Sequence, residues 1–457
     1  MQRLVSILAC ACASLALAGG ASALTVGVND DIGKIPAFAP WAYSTMQATG
    51  LKVNTLTLPW DDLDPTTIPD AAVVADAVAA AELNGITIEL DLYPAHSQAF
   101  SDGLKCSASS DPLACGDAAK IAQFAAWAAS VAQNFPTVHQ FVVMNECNQP
   151  LFLNPQWDVT GQNQSARICG RALAAAYDAI KGVSSTNFVW GVGLSPRGND
   201  DVNAPSNSST SPVRFLGYLG AWFKAFAKKT HRSAPLMDGF DFHPYPVPQS
   251  LDFGKGYPSG RDAAVSNLPR IYQAFYDAFA GSPQPTIGQQ PGGGLPVSLN
   301  ELGVQTTPNG NEYTGVEVSA AAGGVRGPYA TPAFQAQWYL KMLQLVSCDP
   351  NVQIVNIFHL VDESSLAGWQ SGLYYADQTP KQSASIVQAW IASTGGSCQG
   401  KLVRWTPTAP LMTTGTSKGS RRSPGRPPPP EKLRGAESVT ATAPIQGLPR
   451  MPFPRVA

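Results

Sequence analysis

After its first two dozen residues, the 457-residue sequence has no apolar run approaching the ~20 residues that a membrane-spanning helix requires. No spanning segment is expected. The close C-x-x-C and H-x-x-x-H spacings of structural zinc sites are also missing, so no metal centre is expected. No glycine-rich loop follows a predicted strand in a form that would cradle a phosphate. Gly292-Gly293-Gly294 precedes a strand and reads as a turn. With neither metal nor phosphate cofactor implied, any chemistry falls to side chains alone.

What is present begins with an export signal. Arg3 is followed by an apolar stretch from Leu4 to Leu17 and then by Ala21-Ser22-Ala23, the small-x-small form of a cleavage site. Residues 1–23 therefore read as a signal peptide, and the mature protein as secreted and extracellular. Removing Cys10 and Cys12 with the signal leaves six cysteines, an even number suited to an oxidising compartment. Cys106 and Cys115 bracket one short polar loop, and Cys348 and Cys398 flank the last predicted elements, which leaves Cys147 for Cys169.

Charge is unevenly spread. The body, residues 24–400, carries a net −11, and the tail, 401–457, carries +8. Eleven of the tail's 57 residues are proline, and it has no sustained apolar periodicity, so it cannot bury enough surface to offset its chain entropy. It is expected to be a disordered, basic, proline-rich extension.

In the body, short β-branched runs alternate with longer alanine-rich amphipathic stretches, the pattern of repeated βα units. The predicted strands are Thr25–Asn29, Val53–Leu58, Ile86–Leu92, Gln140–Asn145, Phe188–Leu194, Gly239–His243, Pro296–Glu301 and Gln353–His359. Helices are predicted at 38–49, 70–84, 117–134, 165–181, 213–229, 265–280, 331–346 and 382–394. Eight strands, each followed by a helix, make an α/β chain of the (β/α)8 TIM-barrel class, as a single domain over 24–400. Such barrels carry their active sites at the C-terminal ends of the strands. Those ends read Asn29-Asp30, Trp60-Asp61-Asp62, Asp91 with Tyr93 and His96, Asn145-Glu146, Ser195 with Arg197, His243 with Tyr245, Asn300-Glu301, and His359 with Asp362.

Two of these ends carry a glutamate after an asparagine: Asn145-Glu146 on strand four and Asn300-Glu301-Leu302-Gly303 on strand seven. Cleaving a glycosidic bond with retention needs one carboxyl group to protonate the leaving oxygen and a second, ~5–5.5 Å away, to attack the anomeric carbon. The sequence resembles clan A of the glycoside hydrolases, with likeness to its cellulase-like and β-xylosidase-like families. Those families carry an Asn-Glu acid/base pair on strand four and a nucleophilic Glu on strand seven. The resemblance implies Glu146 as general acid/base, Glu301 as nucleophile and Asn145 as a hydrogen-bond partner of the sugar 2-hydroxyl. It further implies that His243 and Tyr245, in His243-Pro244-Tyr245-Pro246, hold Glu301 ionised. The segment from Gly368-Trp369 through Asp377 to Lys381 resembles the end of the same barrels. Trp60, Tyr93 and Trp369 are expected to stack on sugar faces, with His96 beside them as a substrate contact.

The sequence departs from the clan at three places. No arginine stands in Val53–Leu58, so support for the nucleophile is missing or comes from elsewhere, with Arg197 a candidate. Cys147 stands where proline is common, and Phe358-His359 replaces the strand-eight tryptophan. Asp61, Asp62 and Asp64 read as a turn and helix cap. The expected protein is a monomeric, cofactor-free retaining glycosidase acting on oligo- or polysaccharide, with no nucleic-acid or membrane partner. A carbohydrate-binding barrel without catalysis is the alternative.

Overall fold

The computed structural model describes residues 23–103, 111–204, 208–246, 254–288, 294–310, 312–315 and 329–408. The predicted signal peptide and most of the basic tail lie outside this range, as do Cys106 and with it the expected 106–115 pair. Eight parallel strands close into a barrel in sequence order. They are β1 (Thr25–Asn29), β2 (Val53–Trp60), β3 (Thr87–Pro94), β4 (Gln140–Val143), β5 (Phe188–Leu194), β6 (Gly239–Phe242), β7 (Val297–Leu302) and β8 (Val352–Ile357). Eight helices return the chain: α1 (Ala39–Thr49), α2 (Ala71–Leu83), α3 (Ala118–Asn134), α4 (Ser165–Val183), α5 (Pro212–Thr230), α6 (Leu268–Phe279), α7 (Pro332–Val346) and α8 (Gln382–Thr394). Every predicted strand and helix is found within three residues of its expected ends.

The helix starts follow from local chemistry. Asp117 caps α3 by accepting from the N–H groups of Ala119 and Lys120. Thr331 caps α7, where Pro332 occupies the first turn without wasting a donor. The main apolar core is the shell between sheet and helices, with Leu56, Leu90, Phe141 and Phe240 against helix residues such as Phe124, Leu173, Phe223 and Phe275. The two expected disulfides within the described range, Cys147–Cys169 and Cys348–Cys398, are formed. Packing also runs past the expected domain end at 400. Val403 N–H donates to Cys348 O, Trp405 packs edge-on against Tyr272, and Thr408 bonds Gln273 on α6.

The barrel interior is where composition and expectation part. Bulky branched side chains usually fill such interiors. Here Val142, Trp190 and Ile354 form only a small apolar plug. Two residues further along β8, Asn356 Nδ2 donates to Thr55 Oγ1, Glu89 Oε2 and Asn300 Oδ1 at 2.8–3.1 Å. Gly27 on β1 makes room for this cluster, because a Cβ there would lie 2.4 Å from Asn356 Oδ1. A polar layer thus sits on the plug, with Asp91 and Asp241 buried nearby.

Burying Glu89 raises its carboxyl pKa to about 7, with Asp241 adding to the rise and the Thr55 and Asn356 hydrogen bonds opposing it. The folded chain therefore holds this proton more tightly than the unfolded chain. Glu89 favours folding below its unfolded pKa of ~4.3 and loses that contribution as pH rises through about 7. Glu89→Gln should gain stability relative to the parent between pH 5 and pH 8, by on the order of 3 kcal/mol at most. Denaturant midpoints at the two pH values measure this. A stability difference that does not change with pH contradicts it.

Candidate active site

β4 ends at Val143, and the chain then turns sharply: Met144 and Glu146 adopt φ values of 72° and 37°, in the left-handed region that non-glycine residues rarely occupy. Backbone strain of this kind persists only where surrounding contacts hold it. Here Glu146 N–H donates to Gly193 O at 2.8 Å, and Gln149 N–H donates back to Glu146 O at 2.7 Å. Behind them Asn148 bonds both the N–H and the carbonyl of Ser195 and the carbonyl of Thr210. The Cys147–Cys169 bridge ties the same turn to α4. The Glu146 carboxyl is thereby aimed over the barrel mouth.

Glu301 lies in β7, and His243 follows β6 directly. His243 Nδ1 is 3.1 Å from Glu146 Oε1 and 3.5 Å from Glu301 Oε2, and its Nε2 is 3.6 Å from Asp241 Oδ2. Carboxylate oxygens of Glu146 and Glu301 lie within 4.8 Å of one another. Tyr245 donates its hydroxyl to Glu301 Oε2 at 3.0 Å, and Asn29 Nδ2 from β1 reaches Glu301 Oε1 at 3.4 Å. Asn145 is buried at the same mouth.

Electrostatics follow from this crowding. Burial alone would depress the His243 imidazole. The Glu301 charge, the Asp241 carboxylate beside the ring and the hydrogen bond to Glu146 outweigh burial and raise its pKa well above the ordinary value. His243 is therefore an imidazolium set between two carboxyl groups. Burial, together with the like charge of Glu146, raises Glu301, while His243, the Tyr245 hydrogen bond and His359 pull it down. Tyr245, raised well above its ordinary value by burial and by the Glu301 and Glu146 charges, stays a phenol that can donate.

The other expected site residues divide. Trp369 is partly exposed at the rim, its ring centroid 4.9 Å from Tyr245 and 5.7 Å from Phe358, so these rings form one aromatic corner. Tyr93 is also at the rim, edge-on to Phe152 at 5.9 Å. His96 is held by Asp62, with Nδ1 2.7 Å from Oδ1, and Lys120 closes on the same carboxylate at 3.7 Å. Asp61 makes the expected turn by accepting from Leu63 N–H.

Trp60 does not reach the mouth. β2 runs two residues longer than predicted, and strand alternation turns Trp60 away from the inward Thr55. It is fully buried against Phe100 and Phe124, with its indole N–H on Pro65 O. Arg197 is exposed and supplies no support to Glu301; among the described residues no arginine or lysine pairs with that carboxylate. Sequence reasoning passed over Asp241, Gly193 and the role of Asn29. The first stands two residues before His243 on the same strand face, a signal that alternation alone supplies.

The fold has known counterparts. Solved structures similar to this chain include a family 39 glycoside hydrolase from the gut symbiont Bacteroides cellulosilyticus WH2, with a TM-score of 0.53 and 15% identity over 80% of this chain and 63% of the other. This chain therefore spans less than two thirds of that protein's length. A second is GH5_18 from Streptomyces cattleya in complex with GlcNAc, with a TM-score of 0.50 and 13% identity over 82% of this chain and 80% of the other. No protein-family model and no curated sequence matches the chain. At these identities the likeness establishes the shared (β/α)8 barrel.

Gly193 on β5 gives the site a sharp test. It sits at φ +46°, and a Cβ added there would lie 3.1 Å from His243 Nε2, 3.3 Å from Asn145 Oδ1 and 3.4 Å from Asp241 Oδ2. Gly193→Ala should destabilise the fold by about 1–2 kcal/mol and shift the ring NMR signals of His243. An unshifted ring at parental stability contradicts the packing described.

Proposed function

We propose that the protein is a secreted retaining glycosidase that cleaves O-glycosidic bonds of oligo- or polysaccharides. The observation that carries this reading is the approach of Glu146, in the turn after β4, and Glu301, in β7, to within 4.8 Å, with Tyr245 donating to Glu301. Retaining enzymes hold their two carboxyl groups ~5–5.5 Å apart, whereas inverting ones need ~6.5–9.5 Å for an intervening water.

In the first step a Glu301 oxygen attacks the anomeric carbon, and the bond from that carbon to the leaving oxygen breaks. Glu146 gives its proton to the departing oxygen, leaving a covalent glycosyl ester on Glu301. In the second step Glu146, now a carboxylate, takes a proton from water, whose oxygen displaces Glu301 at the same carbon. Tyr245 and His243 stabilise Glu301 as it regains its charge. Asn145, buried at the mouth, bonds the sugar 2-hydroxyl, and the Trp369 corner lies against a sugar face. His96 and Tyr93, further out, are contacts for sugar units beyond the cleaved bond. No step calls for a metal or organic cofactor.

Export accords with the leader-like N-terminus and with the two disulfides. Among the described residues no helix is long and apolar enough to cross a membrane.

A panel of aryl β-glycosides and plant polysaccharides, offered to the mature protein, tests the activity. Glu146→Gln should lose about 10²–10⁴-fold in kcat/KM on substrates with poor leaving groups and less on activated aryl glycosides. Glu301→Gln should be inactive on both. A 2-fluoro glycoside of the preferred sugar should label Glu301, seen by peptide mass spectrometry. Sugar binding with no turnover and no label would instead identify a carbohydrate-binding barrel, and a fully active Glu301→Gln contradicts the assigned nucleophile.

A further inference from the structure

A buried carboxylate needs a nearby cation or several donors to remain charged. Among the described residues no arginine or lysine pairs with Glu301, and His243 divides its charge among Glu146, Asp241 and Glu301. The mouth holds a second imidazole, on the side of the barrel where β8 meets β1. His359 follows β8 and is buried. Its Nδ1 lies 2.7 Å from the carbonyl oxygen of Asn29, and its Nε2 lies 3.2 Å from Glu363 Oε1.

Both partners can only accept while Glu363 is ionised, and a neutral imidazole donates from one nitrogen only. Satisfying both contacts therefore requires the doubly protonated ring. Asn29, whose carbonyl receives one of those protons, is the residue whose side-chain amide reaches Glu301 Oε1 at 3.4 Å. The same corner is fixed by Asp30, whose carboxylate accepts from Ile32, Leu360 and Val361 N–H and so ties the β1 end to the β8 end.

We infer that His359 is a positioning residue for the nucleophile: as an imidazolium it orients Asn29 against Glu301 Oε1 and adds a cation on the side of that carboxylate away from His243. The inference rests on the reading of Glu301 as nucleophile. The charged groups that face the ring are Glu363 from its own loop, Asp30 from the β1 end and Glu301 from β7. Electrostatics agree with the geometry. Burial alone would lower His359, but the Glu363 hydrogen bond, the charges of Asp30 and Glu363 and the Asn29 carbonyl raise it to about 9. In turn His359 lowers Glu301.

The chain has five histidines, so ring ¹⁵N NMR on the full protein can follow this one. His359 should keep both ring protons through pH 8 and lose one near pH 9. The Glu301 carboxyl, labelled with ¹³C and assigned through Glu301→Gln, should titrate about one pH unit higher in His359→Gln and return most of the way in His359→Lys. A ring that is neutral at pH 7, or a Glu301 titration that does not move, overturns the inference. Should His359→Gln fail to fold, the ring titration of the parent still decides. Neither readout needs turnover, so a parent that hydrolyses nothing counts against the glycosidase reading without touching this test.

Discussion

If both ionise, two carboxyl groups whose oxygens lie within 4.8 Å repel each other by on the order of 3 kcal/mol at an effective dielectric of ~20. The rest of the site depends on relieving that repulsion. His243 does so by standing between Glu146 and Glu301 as an imidazolium, with Asp241 behind it. That placement explains why β5 carries a glycine at 193, whose absent side chain leaves the space that His243, Asn145 and Asp241 share. One short segment after β6 thus sets a charge balance between Glu146, in the turn after β4, and Glu301 in β7.

The barrel supplies the rigidity this balance needs. The turn after β4 is pinned by Gly193 O, by Asn148 and by the disulfide to α4, so that Glu146 keeps an unfavourable backbone angle. The loop after β8 is pinned differently. Lys381, at the start of α8, forms a buried ion pair with Asp362 at 2.6 Å and bonds Gln370 O, while Tyr313 and Gly372 N–H take up the remaining capacity of the same carboxylate. A buried pair of this kind adds little net stability but strongly penalises any arrangement that separates it. Trp369 is carried between those anchors, which accounts for its fixed place against Tyr245 and Phe358.

The sequence displays the barrel plainly because the evidence for it is periodic. Each βα unit repeats the change from alternating apolar residues to a helical stripe, and errors in one unit leave the count of eight intact. Strand ends are legible for the same reason, and that placed Asn145, Glu146, His243, Tyr245 and Glu301 at one mouth. What depends on contacts between distant residues was not legible. Trp60 looked like a rim aromatic until β2 proved two residues longer, which rotated it into the core against Phe100. Arg197 looked like a spare cation, but it is exposed to solvent, and imidazoles hold the carboxylates instead. The polar barrel interior was equally hidden: Thr55, Glu89, Asn300 and Asn356 are spread over some three hundred residues, and only closure of the barrel brings them together.

On the proposed mechanism these two carboxylates act on opposite sides of one anomeric carbon with a covalent intermediate between the steps. Proton NMR of the first sugar released from a β-glycoside, recorded before mutarotation, tests it most directly. The β-anomer should appear first, and the α-anomer only as the solution equilibrates. Initial release of the α-anomer would mean single displacement by water, and would contradict the nucleophilic role of Glu301.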